Sequence, residues 1–285
     1  MHRLRYLLRG CLYRRPLARV WSVFSDPLLR ALPAREPSLL DKVTRPYLHA
    51  QASAWQRACL MTDHYTFLRQ QLPALIAPLY LESGIEVGQY PVADEQGDPF
   101  RIVLRYEPRF RREGELALSI VDASNRRWYT CAFSIIHQAE QPALVIGVMQ
   151  GPTGKLGSEA AREGIRLLTK MGFGLRPRDL LLELVLQLAE VWSIPQVLAV
   201  TSQSHVFRSP YYRRRKQGCV KIDYDALWQE WPSAPYNDKF TRLLPAAHKS
   251  LDEVPSKKRA MYRHRFAWLE TLSAAMRANL APTLG

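Results

Sequence analysis

Three groups of residues in this chain have the types and spacing to do chemistry. The first is Gln150-Gly151-Pro152-Thr153-Gly154-Lys155, which follows directly on the apolar run Leu144-Val145-Ile146-Gly147-Val148-Met149. A buried strand that ends in a glycine turn and feeds a helix delivers its polar residues to the crevice where open α/β sheets bind ligands. The second is Gly172-Phe173-Gly174-Leu175-Arg176-Pro177-Arg178-Asp179, at the start of a strongly periodic segment. Backbone N–H groups, the helix dipole and the forks of Arg176 and Arg178 would there clamp phosphate oxygens. A plainer account stays open beside it: Gly174 and Pro177 make a tight turn, the arginines are solvated, and Asp179 serves the helix cap. The third is His205, five residues beyond a strand end at Val200, with Ser202 and Ser204 before it. As a general base it would be oriented by Asp223 or Asp225; a structural role is the commoner outcome for one of seven histidines.

These groups give the candidate site. His205 is the catalytic candidate. Gln150, Gly151, Gly174, Arg176 and Arg178 are the candidates for holding a phosphate-bearing donor such as acyl-CoA. Asp223, Asp225 and Trp228 are the candidates for contacting substrate, although with Glu230 the two aspartates also suit surface ion pairs to the basic run Arg213 to Lys216. Several chemistries are excluded. Lys155 lacks the G-x-x-x-x-G-K-[ST] spacing of a P-loop, and no G-x-S-x-G elbow supports a serine nucleophile. Cys11, Cys59, Cys131 and Cys219 stand far apart without paired histidines, so no metal site and no structural zinc is expected.

The elements that must position these residues can be read from periodicity. Ile102–Tyr106, Leu116–Val121 and Trp128–Ile136 read as strands of an antiparallel meander leading into Leu144–Met149. Helices follow over Glu159–Met171 and Leu180–Val191, the second apolar on most faces and therefore buried, and a short strand over Val197–Val200 closes the unit. The expected fold class is α+β: a helical N-terminal layer, a central mixed sheet and a C-terminal helix. Four stretches make up the chain: a basic amphipathic leader over 1–38, a helical layer over 39–95, an α/β core over 96–245 and a basic helix over 246–285 packed on that core. The leader carries eight arginines against one acid, Asp26, over Met1 to Arg35, with leucines and aromatics at near-helical spacing. Two roles fit it equally: an interfacial helix with its apolar stripe among acyl chains, and a terminal helix packed on the body.

A net charge of +14 draws polyanions. An anionic ligand or lipid surface is the favoured partner class. Tyr211 and Tyr212 beside Arg213 to Lys216 have the composition of a nucleic-acid contact, but no binding motif accompanies them, so nucleic acid is the less favoured class. No apolar run approaches the ~20 residues of a membrane span. The expected location is the cytoplasm, with peripheral attachment at the inner membrane left open.

Taken together, Gly147-Val148-Met149-Gln150-Gly151-Pro152, Phe173-Gly174-Leu175-Arg176-Pro177-Arg178-Asp179-Leu180-Leu181, Ser204-His205, Asp223-Tyr224-Asp225-Ala226-Leu227-Trp228 and the tail Lys257-Lys258-Arg259-Ala260 with Tyr262, Arg263 and Arg265 resemble the VirK family. The resemblance runs from about Leu39 to the carboxyl terminus and leaves the leader outside it. It implies a role in virulence, envelope integrity or resistance to cationic antimicrobial peptides. More distantly, a meander, a strand, a glycine turn into helix and a return to strand is similar to the GNAT acyltransferase topology, in which a turn at a helix amino terminus holds the pyrophosphate of coenzyme A. The glycines of this chain, Gly151, Gly154 and Gly157, do not reproduce that superfamily's usual signature. The functional expectation is a cytoplasmic VirK-type protein that supports envelope modification through acyl or aminoacyl transfer. The alternative is a non-catalytic basic adaptor for anionic lipid or RNA.

Overall fold

The computed structural model describes residues 12–91, 98–152, 158–212, 222–247 and 250–281. The first described helix, α1 (Arg14–Phe24), turns Val20 and Phe24 inward. It packs along α2 (Ala54–Gln71), where the Phe24 and Tyr65 rings lie 4.7 Å apart. A capping box starts α2: Ser53 Oγ accepts from the Gln56 amide, and Gln56 Oε1 accepts from the Ser53 amide. Single helical turns at Leu32–Arg35, Ser38–Asp41 and Lys42–Thr44 join the two helices, and α3 (Ile76–Tyr80) completes the layer. Of the two roles open to the leader, its described part takes the second. Val20, Phe24, Leu29 and Leu32 belong to the same hydrophobic core as the sheet.

Eight strands form one sheet in the order β1-β2-β3-β4-β5-β6-β8-β7. They are β1 (Ile85–Gln89), β2 (Arg101–Arg105), β3 (Leu116–Val121), β4 (Arg127–Gln138), β5 (Gln141–Gln150), β6 (Gln196–Val200), β7 (Ser233–Pro235) and β8 (Phe240–Leu243). Every pairing is antiparallel except β5 with β6. That single parallel pair needs a crossover, supplied by α4 (Ser158–Met171) and α5 (Pro177–Val191). Helices cover both faces at the centre. On β4 the Phe133 ring meets Trp192 at the end of α5, while the next side chain, Ser134, bonds Tyr47 below α2. Alternate residues of a strand point to opposite faces, so these two contacts place the two layers on opposite sides. Burial on both sides explains why β3 is buried along its whole length.

Two further helices follow among the described residues, α6 (Tyr224–Gln229) and α7 (Ser256–Leu280). Trp268 and Leu272 anchor α7, Trp268 Nε1 donates to Gln89 O and Asn279 Nδ2 to Glu86 O, so α7 covers the outer edge of β1. The expected α+β arrangement stands: N-terminal helices, a central mixed sheet, a C-terminal helix. The sequence reading passed over β1, β7, β8 and α6. Among the described residues no helix is long and apolar enough to cross a membrane.

Candidate functional site

The centre of the site is the place where the parallel pair separates. β5 and β6 are in register only from Ala143↔Gln196 to Ile146↔Ala199. Beyond that point β5 stays on β4, out to Gln150↔Thr130, while Val200 pairs with Phe240 of β8. The cause is a bulge. β4 residues Ala132 and Phe133 face Val148 and Ile146, so Gly147 is the extra residue that bends β5 away. Only glycine fits there, because a Cβ on Gly147 would lie 1.8 Å from Glu113 O.

Helix α6 stands at the opening as a wedge with an aromatic side chain toward each strand. The Tyr224 hydroxyl lies near enough to the Met149 backbone in β5 for that backbone to act on its titration, and Trp228 Nε1 donates to Val200 O in β6 at 2.8 Å. Both rings are buried. The two aspartates hold the helix in place. Asp223 Oδ1 caps α6 by accepting from the Asp225 and Ala226 amides and also from Ser202 Oγ, and Asp225 Oδ1 accepts from the Ser202 amide. The Ala226 amide and the Ser202 hydroxyl hold the Asp223 carboxyl below its ordinary range. These bonds use the carboxylates on Ser202 and helix amides; the His205 ring is not their partner.

His205 stacks on Tyr224 with ring centroids 5.0 Å apart and an interplanar angle of 13°. The ring is 2% exposed, and burial, helped by the charge of Arg208, lowers its pKa to about 4. Nδ1 accepts from the Phe207 amide at 3.3 Å, so the neutral ring carries its proton on Nε2. Nε2 is buried and has no hydrogen-bond partner among the described residues. As placed, His205 presents a donor. To take a proton it would have to carry hydrogen on the nitrogen that faces an amide.

The donor candidates divide into two places. Gly151 follows the end of β5 with its Cβ position 3.3 Å from the Tyr129 ring, and Gln150 precedes it in the last β4–β5 pair. Arg178 belongs here as well, since its charge acts on the Tyr129 hydroxyl, which burial has raised to about 12. Its guanidinium is engaged: Nε donates to Asp179 Oδ1 and Nη1 pairs with Glu230 Oε2, both at 2.8 Å. Just beyond, Pro152, Glu159, Arg162, Glu163, Ile165 and Arg166 line an open cavity of about 580 Å³ beside the first turns of α4, where Arg166 pairs with Glu163.

Gly174 and Arg176 lie apart from this. The Gly172–Gly174 turn is the carbonyl end of α4, not an amide nest. The Gly172, Phe173 and Gly174 amides return to Leu168 O, Lys170 O and Thr169 O, with Phe173 and Gly174 at φ 53° and 78°. Its Phe173 carbonyl takes both Nε and Nη2 of Arg265 from α7. Gly174 thus faces Met261 and Arg265, and Arg176 is an exposed N-cap residue with no side-chain cap bond. The amides of Gly172 to Gly174 are therefore closed to a phosphate, and the arginine that meets this turn comes from α7; the Arg178 and Asp179 amides at the start of α5, on which the expected clamp rests, take part in none of these bonds. Thr153, Gly154, Lys155 and Gly157, and the run Arg213 to Lys216, lie outside the described residues.

One polar cluster escaped the sequence reading entirely. Between the helical layer and the sheet, Lys42 Nζ pairs with Glu115 Oε2, which also accepts from Tyr65 OH at 2.7 Å, and both side chains of the pair are 0% exposed. Lys42 sits over the rings of Tyr47 and Tyr106, at 5.5 and 5.2 Å. Ser134 Oγ meets Tyr47 OH and the Glu115 amide, and His64 links the Ile135 amide to Tyr80 OH. Burial works to raise the Glu115 pKa, but the Lys42 charge and the Lys42 and Tyr65 bonds outweigh it and leave the carboxyl below its ordinary value. The only available signal was a lysine between Leu39 and Val43 in an apolar helical pattern, and a glutamate leading an apolar strand.

Together these features define an α+β protein with a mixed sheet, parted at its one parallel pair and wedged there by a short helix. The chain belongs to the family described as "Protein of unknown function (DUF535)", whose model matches residues 1–278. That match starts at the first residue, so the basic leader is part of the family domain, contrary to the expectation that the likeness begins near Leu39. Similar proteins include "Uncharacterized protein YbjX" of Escherichia coli K12, 28% identical over 96% of this chain and 82% of its own length. An "Uncharacterized protein" of Haemophilus influenzae is 28% identical over 82% of this chain and 73% of its own. "Membrane protein LapB" of Mannheimia haemolytica is 29% identical over 76% of this chain and 87% of its own.

Proposed function

We propose that this chain is a group-transfer protein working in envelope modification, which takes an acyl or aminoacyl unit from a phosphate-bearing donor such as acyl-CoA. The observation that carries the reading is the separation of β5 from β6 at the Gly147 bulge, with a cavity beyond the end of β5. An antiparallel run, a strand, helices and a parallel strand is the order that the GNAT likeness calls for. In this reading the phosphates lie by Gln150, Gly151 and the first turns of α4, where Arg162 and the helix dipole meet them. Arg178 joins by exchanging its Glu230 partner for phosphate. His205 donates its Nε2 proton in a hydrogen bond to the carbonyl of the transferred group, a donor role in place of the base. The VirK resemblance supplies the setting of virulence or antimicrobial-peptide resistance, and the name of the Mannheimia relative agrees with work at the envelope.

Calorimetric titration of the full chain with acetyl-CoA and palmitoyl-CoA tests this. Loss of one charge-assisted contact, worth about 1.5–3 kcal/mol, predicts a roughly 10- to 100-fold weaker complex for Arg162→Gln and for Arg178→Gln. No heat with either donor, or an affinity unchanged from that of the original chain in both variants, sinks the proposal. One observation favours the rival, a non-catalytic adaptor: Tyr224 and Trp228 fill the opening with the protein's own side chains. The adaptor binds neither donor.

A further inference from the structure

Helix α1 has an outer face with no partner among the described residues. Its inward residues, Val20 and Phe24, are buried, and Arg19 Nε reaches Thr62 on α2. At 100° per residue, Arg14, Arg15, Ala18 and Ser22 share the opposite side, and all four are exposed. Trp21 flanks this face on one side and is 53% exposed; on the other, Arg19 lies 5.3 Å over the ring of Trp55, which is 49% exposed. Leu12, two residues before the helix, is 76% exposed. Residues 12–25 contain three arginines and no acid. Asp26, the first acid to follow, is paired with Arg69.

We infer that the outer face of α1, bordered by Trp21 and Trp55, docks the protein on an anionic phospholipid bilayer. Small residues at the middle of the face let the helix lie close to the surface, arginines at either side reach lipid phosphates, and tryptophans at both flanks sit at headgroup level, where indole rings are favoured. The positive face without an acid gives the charge complementarity. The apolar side of α1 is spent on the protein, so attachment comes from arginine and tryptophan contacts, and it is shallow and salt-sensitive. This surface is independent of the cavity beyond β5, and donor binding and membrane binding stand or fall separately.

Flotation of the full chain with vesicles of equal parts phosphatidylcholine and phosphatidylglycerol, against vesicles of phosphatidylcholine alone, tests the assignment. The protein is expected to float with the anionic vesicles only and to be released by salt. Each surface arginine contributes about fivefold to partitioning, so Arg14→Gln with Arg15→Gln lowers it on the order of 25-fold. Trp21→Ala also lowers binding, in proportion to its lost interfacial contact. Lys257→Gln with Lys258→Gln on exposed positions of α7 removes the same charge from another element and leaves partitioning within about threefold of the original. Equal losses in the two pairs overturn the proposal, because binding would then follow net charge and not this face. So do equal affinity for neutral vesicles, failure to float, and a preference for single-stranded RNA over vesicles through the same two arginines.

Discussion

Replacing Glu115 by Gln isolates a fully buried ion pair. The substitution keeps the volume and leaves an amide oxygen for Tyr65, but it takes the counter-charge from Lys42, which is 0% exposed. A buried ion left without its partner costs about 3–5 kcal/mol. The lysine has one way out. Releasing its proton at pH 7, about 3.4 pH units below where lysine ordinarily titrates, costs about 4.6 kcal/mol, which sets a ceiling on the penalty. Burial already pulls Lys42 below its ordinary value despite the pull of Glu115, so part of that cost is present before the change and the loss is expected at about 3–4 kcal/mol. Against a total stability of roughly 5–15 kcal/mol this is a large fraction, and urea unfolding followed by circular dichroism will resolve it. Lys42→Met is expected to cost a similar amount, since it leaves the carboxylate uncompensated. The double variant Lys42→Met with Glu115→Gln removes both charges, and its loss must be smaller than the sum of the two single losses. Single losses below about 1 kcal/mol, or a double loss equal to the sum, refute the ion-pair account. The sign with pH follows. A carboxyl whose folded pKa is depressed stabilises above its unfolded pKa and loses that contribution as pH falls toward the folded value, so the original chain, and not Glu115→Gln, should weaken through this group below about pH 4.5.

A second acid effect starts higher. Burial lowers His49, His64 and His205 to about 4, so the unfolded chain takes up protons between the ordinary value of 6.5 and that point while the folded chain does not. Stability should therefore fall as pH drops through that window, by on the order of 3 kcal/mol per histidine, and His64→Gln should flatten the slope by about a third; urea midpoints unchanged from neutral pH to about pH 4.5 would contradict this. At the strand separation, Gly147→Ala sets a methyl group against the Glu113 carbonyl at 1.8 Å, and a loss of about 3 kcal/mol is expected in thermal melts. Gly151→Ala, whose Cβ would meet the Tyr129 ring at 3.3 Å, should cost less than about 1 kcal/mol, and equal losses at the two glycines would disprove the role given to the bulge.

Local pattern made much of this architecture readable, and distance in sequence hid the rest. The meander, the crossover helices and α7 announce themselves through runs of one period, and α5 through apolar residues on nearly every face. β1, β7 and β8 are edge or near-edge strands of five, three and four residues, too short for Ile85–Gln89, Ser233–Pro235 or Phe240–Leu243 to show a periodicity of its own. The glycine turn at Gly172–Gly174 is ambiguous in sequence for a physical reason: a left-handed turn ends one helix just before the next begins, and only the hydrogen bonds tell which end its amides serve. The Lys42–Glu115 pair joins residues 73 apart, and nothing local marks either as a partner of the other. His205, stacked on Tyr224, and the two aspartates, bonded to Ser202, lie close to one another. What their spacing could not reveal is that Ser202 and the amides of α6 take both carboxylates.

The placement of α7 has a temporal side. The bonds that cover β1 link Gln89 with a tryptophan 179 residues later and Glu86 with an asparagine 193 residues later. At roughly 5–20 residues per second of synthesis, the outer carbonyls of that strand stay uncovered for about 10–40 s while the chain is being made. During that interval the growing polypeptide carries a pairing template that the finished molecule lacks, so truncation within the last helix should yield protein that self-associates through this strand before it loses its central sheet.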